Sequence, residues 1–421
     1  MNLLLQQLTL VTATDVATST VDIRIQNGII TAINTTLPPD HATEQVVNMH
    51  GAFASSGFID LFAHGCEPGY EHRETLESIA RSAASGGFTQ VAIIPNTNPV
   101  VDNKSLVNFI AQQPQLAAQL LPLGALTKGC DGKELAEMYD MHQAGAVAFT
   151  DGLKPIQTSG LMLKALQYVK AFNGTVVQMP IDQSIGKYGL MHEGVISTRM
   201  GLPGIPTLAE VLLIKRDIDL LRYTESKLHI TGVTSAEGID IIAAAKKEGL
   251  AVTCSVTPWH LMYCDEDLAN YDTNLKLHTP LRSKADRDAL RLAVNEGVVD
   301  AIASHHMPQD WDAKHCEFEY AKAGMIGLQS AYALVHTILP ELTPQQIVQL
   351  FSSNPANILA LQEPSIAVGN KVSLTFFQPQ QSFTVRESDN TSKSTNSCIF
   401  NLPLNAKIVG TCHHGRLYLN Q

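Results

Sequence analysis

Histidines, carboxamides, carboxylates and one cysteine recur where apolar runs end. His64 and Cys66 close Phe58-Ile-Asp-Leu-Phe-Ala, Asn96 sits in Pro-Asn-Thr-Asn-Pro, and Asp151 follows Ala146–Thr150. His278 precedes Thr-Pro-Leu-Arg, and His305-His306 follow Val299–Ser304. Imidazole and carboxylate are the ligands that hold zinc at about 2.0–2.2 Å, and a metal so held activates water for hydrolysis. His64 and Asp151 could hold one such ion with help from His305, His306 or His278. Against this, most isolated histidines are hydrogen-bonded structural residues. Neighbouring strand residues point to opposite faces, so only one of His305 and His306 can enter a shared site. Cys66 could be a nucleophile, but no partnered histidine follows from sequence, and it reads as a small filler. His413-His414 reads as a surface pair.

Elements must bring these positions together. Eight strand-like runs (Phe58–His64, Gln90–Pro95, Leu120–Leu126, Ala146–Thr150, Gly174–Met179, Lys227–Val233, Ala251–Val256 and Val299–Ser304) alternate with helical patterns such as Glu74–Ser85, Lys133–Ala144, Ser159–Phe172 and Thr207–Tyr223. Eight strand–helix units fit an α/β fold of the (β/α)8 barrel type, whose chemistry sits at the C-terminal strand ends. A doubly wound open sheet is the alternative, but no Gly-rich dinucleotide fingerprint follows any strand. Residues 1–52 and 357–421 are strand-rich and flank the barrel of residues 53–356. Neither end looks long enough to bury a core alone, so the two are expected to pair into one small β-domain. The polar stretch Glu387–Asn396 reads as a loop.

Among 421 residues, 45% are hydrophobic and 16% charged, which excludes wholesale disorder. Twenty-nine Lys and Arg against 40 Asp and Glu give a formal charge of −11, which argues against nucleic acid or an anionic membrane as partner. No apolar run is long enough to span a bilayer. The opening Met-Asn-Leu-Leu-Leu-Gln-Gln lacks the basic region of a secretory signal. Seven cysteines without a CxxC pair fit reduced thiols. A cytoplasmic protein is expected.

The segments "ASGGFTQVAIIPNTNPVVDN", "LGALTKGCDGKELAEM", "AGAVAFTDG", "HEGVISTRMGLPGIPTLAE", "TPLRSKADRDAL" and "GMIGLQSA" resemble the dihydroorotases of the amidohydrolase superfamily, of the bacterial type that partners aspartate transcarbamoylase. The resemblance implies a barrel with a composite β-domain, and zinc-activated water that opens the dihydroorotate ring. It also marks departures. Phe62 stands at the first position of the family's His-x-His, with only His64 kept. Met179 and Gly232 stand where strands five and six carry histidines, and His305 replaces the strand-eight aspartate that serves as ligand and base. Asp151 keeps the strand-four carboxylate, with one residue of Asp-Asp-Gly missing. Cys66 replaces the arginine that clamps the substrate carboxylate, and His278 replaces an asparagine. Asn96 and His306 match substrate-contacting positions. These departures point to a degenerate pseudo-enzyme without a metal, retained as a scaffold for aspartate transcarbamoylase and itself a homodimer or larger. The alternative is a cyclic amidohydrolase that keeps zinc on altered ligands. A third reading is a sensor that binds a small molecule through Asn96 and His306.

Overall fold

The computed structural model describes residues 2–40, 42–113, 116–362 and 365–420. The first strands are β1 (Asn2–Leu10), β2 (Val21–Gln26), β3 (Ile29–Asn34), β4 (Gln45–Asn48) and β5 (Phe53–Ser56). The barrel strands follow as β6 (Phe58–Ala63), β7 (Phe88–Ile93), β8 (Gln119–Gly124), β9 (Ala148–Phe149), β10 (Val176–Gln178), β11 (Leu228–Thr231), β12 (Val252–Val256) and β13 (Ala301–Ile302). They pair in parallel in chain order from β6 to β13. A parallel bridge between Ala63 and His306 joins the two ends of this sheet at the mouth, where His64 N donates to His306 O over 2.9 Å. The result is a nearly closed α/β barrel.

Parallel strands covered on both faces need apolar residues at every position, not at alternate ones. All six residues of β6 are buried accordingly. The exception to apolarity is Asp60, whose carboxylate accepts from Ser304 N at 2.6 Å and Ser304 Oγ at 2.9 Å. Helix α1 (Leu76–Ser85) begins with a capping box between Thr75 and Ser78, and it lays Leu76, Ile79, Ala80 and Ala83 against the barrel wall. Ile59, Leu61, Ala92, Ile94, Leu123 and Val177 fill the barrel interior. Burying each of the larger ones contributes about 1.5–3 kcal/mol.

Three later strands are β14 (Ser373–Gln378), β15 (Lys407–His413) and β16 (Arg416–Leu419). They extend the N-terminal sheet in the order β16-β15-β14-β5-β1-β2-β3, with β4 beside β1. Both chain ends therefore share one sheet, with Leu3, Leu5, Ile23, Ala54, Leu374 and Phe376 in its core. The passage from this sheet to β6 needs Gly57, because a Cβ there would lie 2.1 Å from Thr89 Oγ1.

Some sequence-based expectations shift. The helix expected over Lys133–Ala144 is confined to Met138–Gln143, because Leu135 is engaged in a bridge to Thr127. The eighth strand is only two residues long, since Ser304 is drawn to Asp60 and His305 turns to φ +43°. His413 is buried and its Nδ1 lies 3.1 Å from Ser373 Oγ, so the expected surface pair is half wrong. Among the described residues, no helix is long and apolar enough to cross a membrane.

Candidate active site at the barrel mouth

The C-terminal strand ends bring together the side chains singled out above, and nearly all are already engaged. His64 Nδ1 accepts from Cys66 N over 3.0 Å, and its ring also bonds to the Asn96 backbone. Its Nδ1 is thus committed to the protein. Burial holds the ring neutral, with its pKa pushed down to about 3. Asp151 accepts from Thr127 N at 2.9 Å and from the Thr127 hydroxyl. Burial raises its pKa to about 6, against the opposing pull of those bonds. Asn96 braces the same loop, donating to Asp151 O and accepting from Leu153 N, each over 3.0 Å.

His305 occupies the space between strands one and six. Its ring lies 4.5 Å from that of Phe62 at 30°, and its Nε2 is 2.8 Å from Thr231 Oγ1. Thr231 accepts in turn from Ser255 Oγ at 3.0 Å, which lies 3.0 Å from His229 Nε2; His229 Nδ1 lies 2.9 Å from Thr253 Oγ1. The chain Thr253–His229–Ser255–Thr231–His305 gives each of its hydroxyls, both nitrogens of His229 and Nε2 of His305 a partner, which is what makes it tolerable inside a barrel. Burial pushes the pKa of His229 to about 3 and that of His305 well below its ordinary value. Gly232 has φ +70°, and a Cβ there would come within 2.6 Å of His305 Cε1. The glycine and the inward histidine therefore require each other.

His306 points elsewhere. Its Nδ1 accepts from Gly327 N at 3.1 Å, so the ring proton lies on Nε2, 3.4 Å from Glu74 Oε2. The two neighbouring histidines do diverge, but through a left-handed turn and not through strand alternation. Glu74 is fully buried and also binds the hydroxyls of Ser78 and Ser392 and the Lys393 N–H, at 3.0 Å for the last. Burial alone would raise its pKa, yet these hydrogen bonds hold it below the ordinary range. Ser394 Oγ donates to Arg73 O at 2.7 Å, and Asn396 bonds Met307 O, Gly324 O and Gln309 N at 3.0–3.1 Å. The expected loop Glu387–Asn396 is thus a strap that crosses the mouth after one short turn at Glu387–Asp389.

Cys66 is buried at φ +61°, and burial pushes its thiol up to about 12, far from a nucleophilic thiolate. His278 is half-buried, with burial and the Lys314 charge pushing it down to about 4. Met179 is buried. Asp60, Glu74 and His229 were missed in the sequence. Their partners lie in distant segments, and no local spacing signals them.

Over 400 residues the chain is 36% identical to the dihydroorotase of Syntrophus aciditrophicus (strain SB), covering 94% of each chain. The chain belongs to the dihydroorotase family. The dihydro-orotase-like family model matches residues 51–238. The dihydroorotase of Pelotomaculum thermopropionicum is 40% identical over 360 residues, covering 85% of this chain and 84% of its own. The L-hydantoinase from Arthrobacter aurescens shares the fold at a TM-score of 0.87 and 20% identity, covering all of this chain and 96% of its own.

Membership of the dihydroorotase family implies zinc, and the residues present do not fit it. Phe62, Met179 and Gly232 offer no ligand atoms. Nδ1 of His64, the carboxylate of Asp151 and Nε2 of His305 are spent on protein partners. Among the described residues, no group of three or more His, Cys, Asp or Glu is placed to hold a metal.

Proposed function

We propose that this dihydroorotase-family protein has lost zinc-dependent ring opening and serves pyrimidine synthesis in the cytoplasm as a non-catalytic, self-associating partner of aspartate transcarbamoylase. The observation that carries this reading is His305. The residue at the base position of the family lies against Phe62, bonds to Thr231 and fills the space a ligand at position 232 would need. A general base is worth about 10²–10⁴-fold, and the His305 nitrogen that bonds to Thr231 is not free to supply it. The partner reading rests on the family resemblance of segments outside the ligand positions. Metal analysis of the purified chain, with a dihydroorotate hydrolysis assay before and after chelation, tests the first half. One tightly held zinc per chain and chelator-sensitive turnover would overturn it. Sedimentation of the chain mixed with aspartate transcarbamoylase tests the second, and the absence of a joint boundary would count against it.

A second reading has its own support. Relatives 34–40% identical across most of the chain carry the name dihydroorotase, which favours a working cyclic amidohydrolase that holds zinc on altered ligands. It requires His64, Asp151 and His305 to exchange their present partners for metal.

A further inference from the structure

Outside the strap lies a second polar cavity of about 330 Å³, lined by Asn274, Trp311, Lys314, His315 and Asn396 among others. That size is at the small end of ligand-binding cavities. Lys314 is only 5% exposed, and its Nζ has one hydrogen-bond partner, Thr273 O at 2.8 Å. Among the described residues no carboxylate is paired with it. The Oδ1 atom of Asn274, on the same wall, is buried without any partner. A second buried lysine, Lys276, donates to Phe318 O and Glu319 O at 2.7 and 2.9 Å. Burial first, and then the charge of Lys276, push the Lys314 amine down to about 7, while Asp272, Cys316 and Cys398 oppose the shift. Asp310, His315 and Tyr271 are the remaining titratable groups that line the cavity.

We infer that Lys314 is a carbonyl-binding amine whose cavity takes a small uncharged hydroxyaldehyde as an imine. The Nζ lone pair attacks the carbonyl carbon, the C=O pair moves to oxygen, and that oxygen takes up a proton. The carbinolamine hydroxyl then takes up a second proton and leaves as water, the nitrogen lone pair forms the C=N bond, and the two protons that the nitrogen gives up balance the two that the oxygen took. His315 Nδ1 lies 3.0 Å from Trp311 O and must donate to it, so Nε2 is left as a proton acceptor at the rim. The orphaned Asn274 Oδ1 supplies the acceptor that a ligand hydroxyl needs. Asp272 and Asp310 disfavour a carboxylate on the ligand. This site does not depend on whether the barrel mouth is catalytic.

The test treats the full chain at pH 7 with glycolaldehyde and cyanoborohydride, which delivers hydride to the imine carbon, and maps labelled lysines by mass spectrometry. Lys314 should label about tenfold or more faster than Lys133, whose side chain is 81% exposed. Glyoxylate should label Lys314 more slowly than glycolaldehyde does, Asn274→Ala should lower the glycolaldehyde rate, and unfolding in urea should equalise the two lysines. The Lys314 rate should level off above neutrality while that of Lys133 keeps rising. Labelling of Lys314 no faster than Lys133 in the folded wild-type chain would overturn the proposal, and that comparison needs no variant to fold.

Discussion

Two buried polar regions lie on either side of the strap, and they differ in how completely they are satisfied. At the barrel mouth, His64, Asp151, His229, His305 and Glu74 each find partners inside the protein. In the outer cavity Lys314 has a single carbonyl and Asn274 Oδ1 has nothing. A buried polar group with every bond made is part of the scaffold, whereas one left short of partners costs about 1–3 kcal/mol and is available to a ligand. The barrel mouth belongs to the first class.

The strongest way to probe that contrast is pH. His64, His229 and His413 sit near 3 and His260 and His278 near 4, with His305 also depressed, while Asp60, Asp151 and Asp217 are raised to about 6. A histidine with a depressed folded pKa gives stability that is whole above its unfolded value near 6.5 and is lost as pH falls. The raised aspartates act oppositely, stabilising below about 4 and losing that stability as pH rises through 6. The histidines outnumber the aspartates two to one, so stability should fall on the order of 4 kcal/mol per pH unit between pH 6 and 5. Urea unfolding at pH 7, 6 and 5 checks this; a flat or rising trend on acidification would mean that the histidines are not buried as described.

Cutting the strap should come next in size. Glu74→Ala leaves the His306 ring N–H, two serine hydroxyls and the Lys393 N–H without their carboxylate, a loss of about 3–5 kcal/mol. Limited proteolysis should then cut within residues 387–397, which should resist in the parent. Equal protection in both chains would show that the strap is held by other contacts.

Gly232→His should destabilise by about 2–3 kcal/mol, combining left-handed strain with the clash against His305. Adding His305→Asp should recover part of that loss in a thermal melt, and strict additivity would deny that the two positions are coupled. The smallest effect belongs to Phe62→His, which restores His-x-His on β6 and should leave zinc content and dihydroorotate turnover at background. Stoichiometric zinc in that single variant would bring the working-hydrolase reading forward.

The barrel was legible because eight apolar runs separated by helical patterns leave few alternatives, and periodicity is a local property. Phe62, Met179 and Gly232, which stand where the resemblance places metal ligands, could be read one residue at a time for the same reason. His305 was legible as a replacement but not as a plug, because its partners Phe62 and Thr231 lie in segments far along the chain. Residues 387–396 showed only a polar composition, which loops share with any segment whose hydrogen bonds are made to other elements.

By itself, the sequence determined the element order and the family membership, since residue type and spacing suffice for each. Only the tertiary structure decided that Glu74 anchors a strap from the C-terminal segment, that His229 and His305 share one hydrogen-bond chain, and that Lys314 is buried beside Lys276. Hydrogen bonding and desolvation depend on which groups meet in space, and those meetings join residues that the chain keeps far apart.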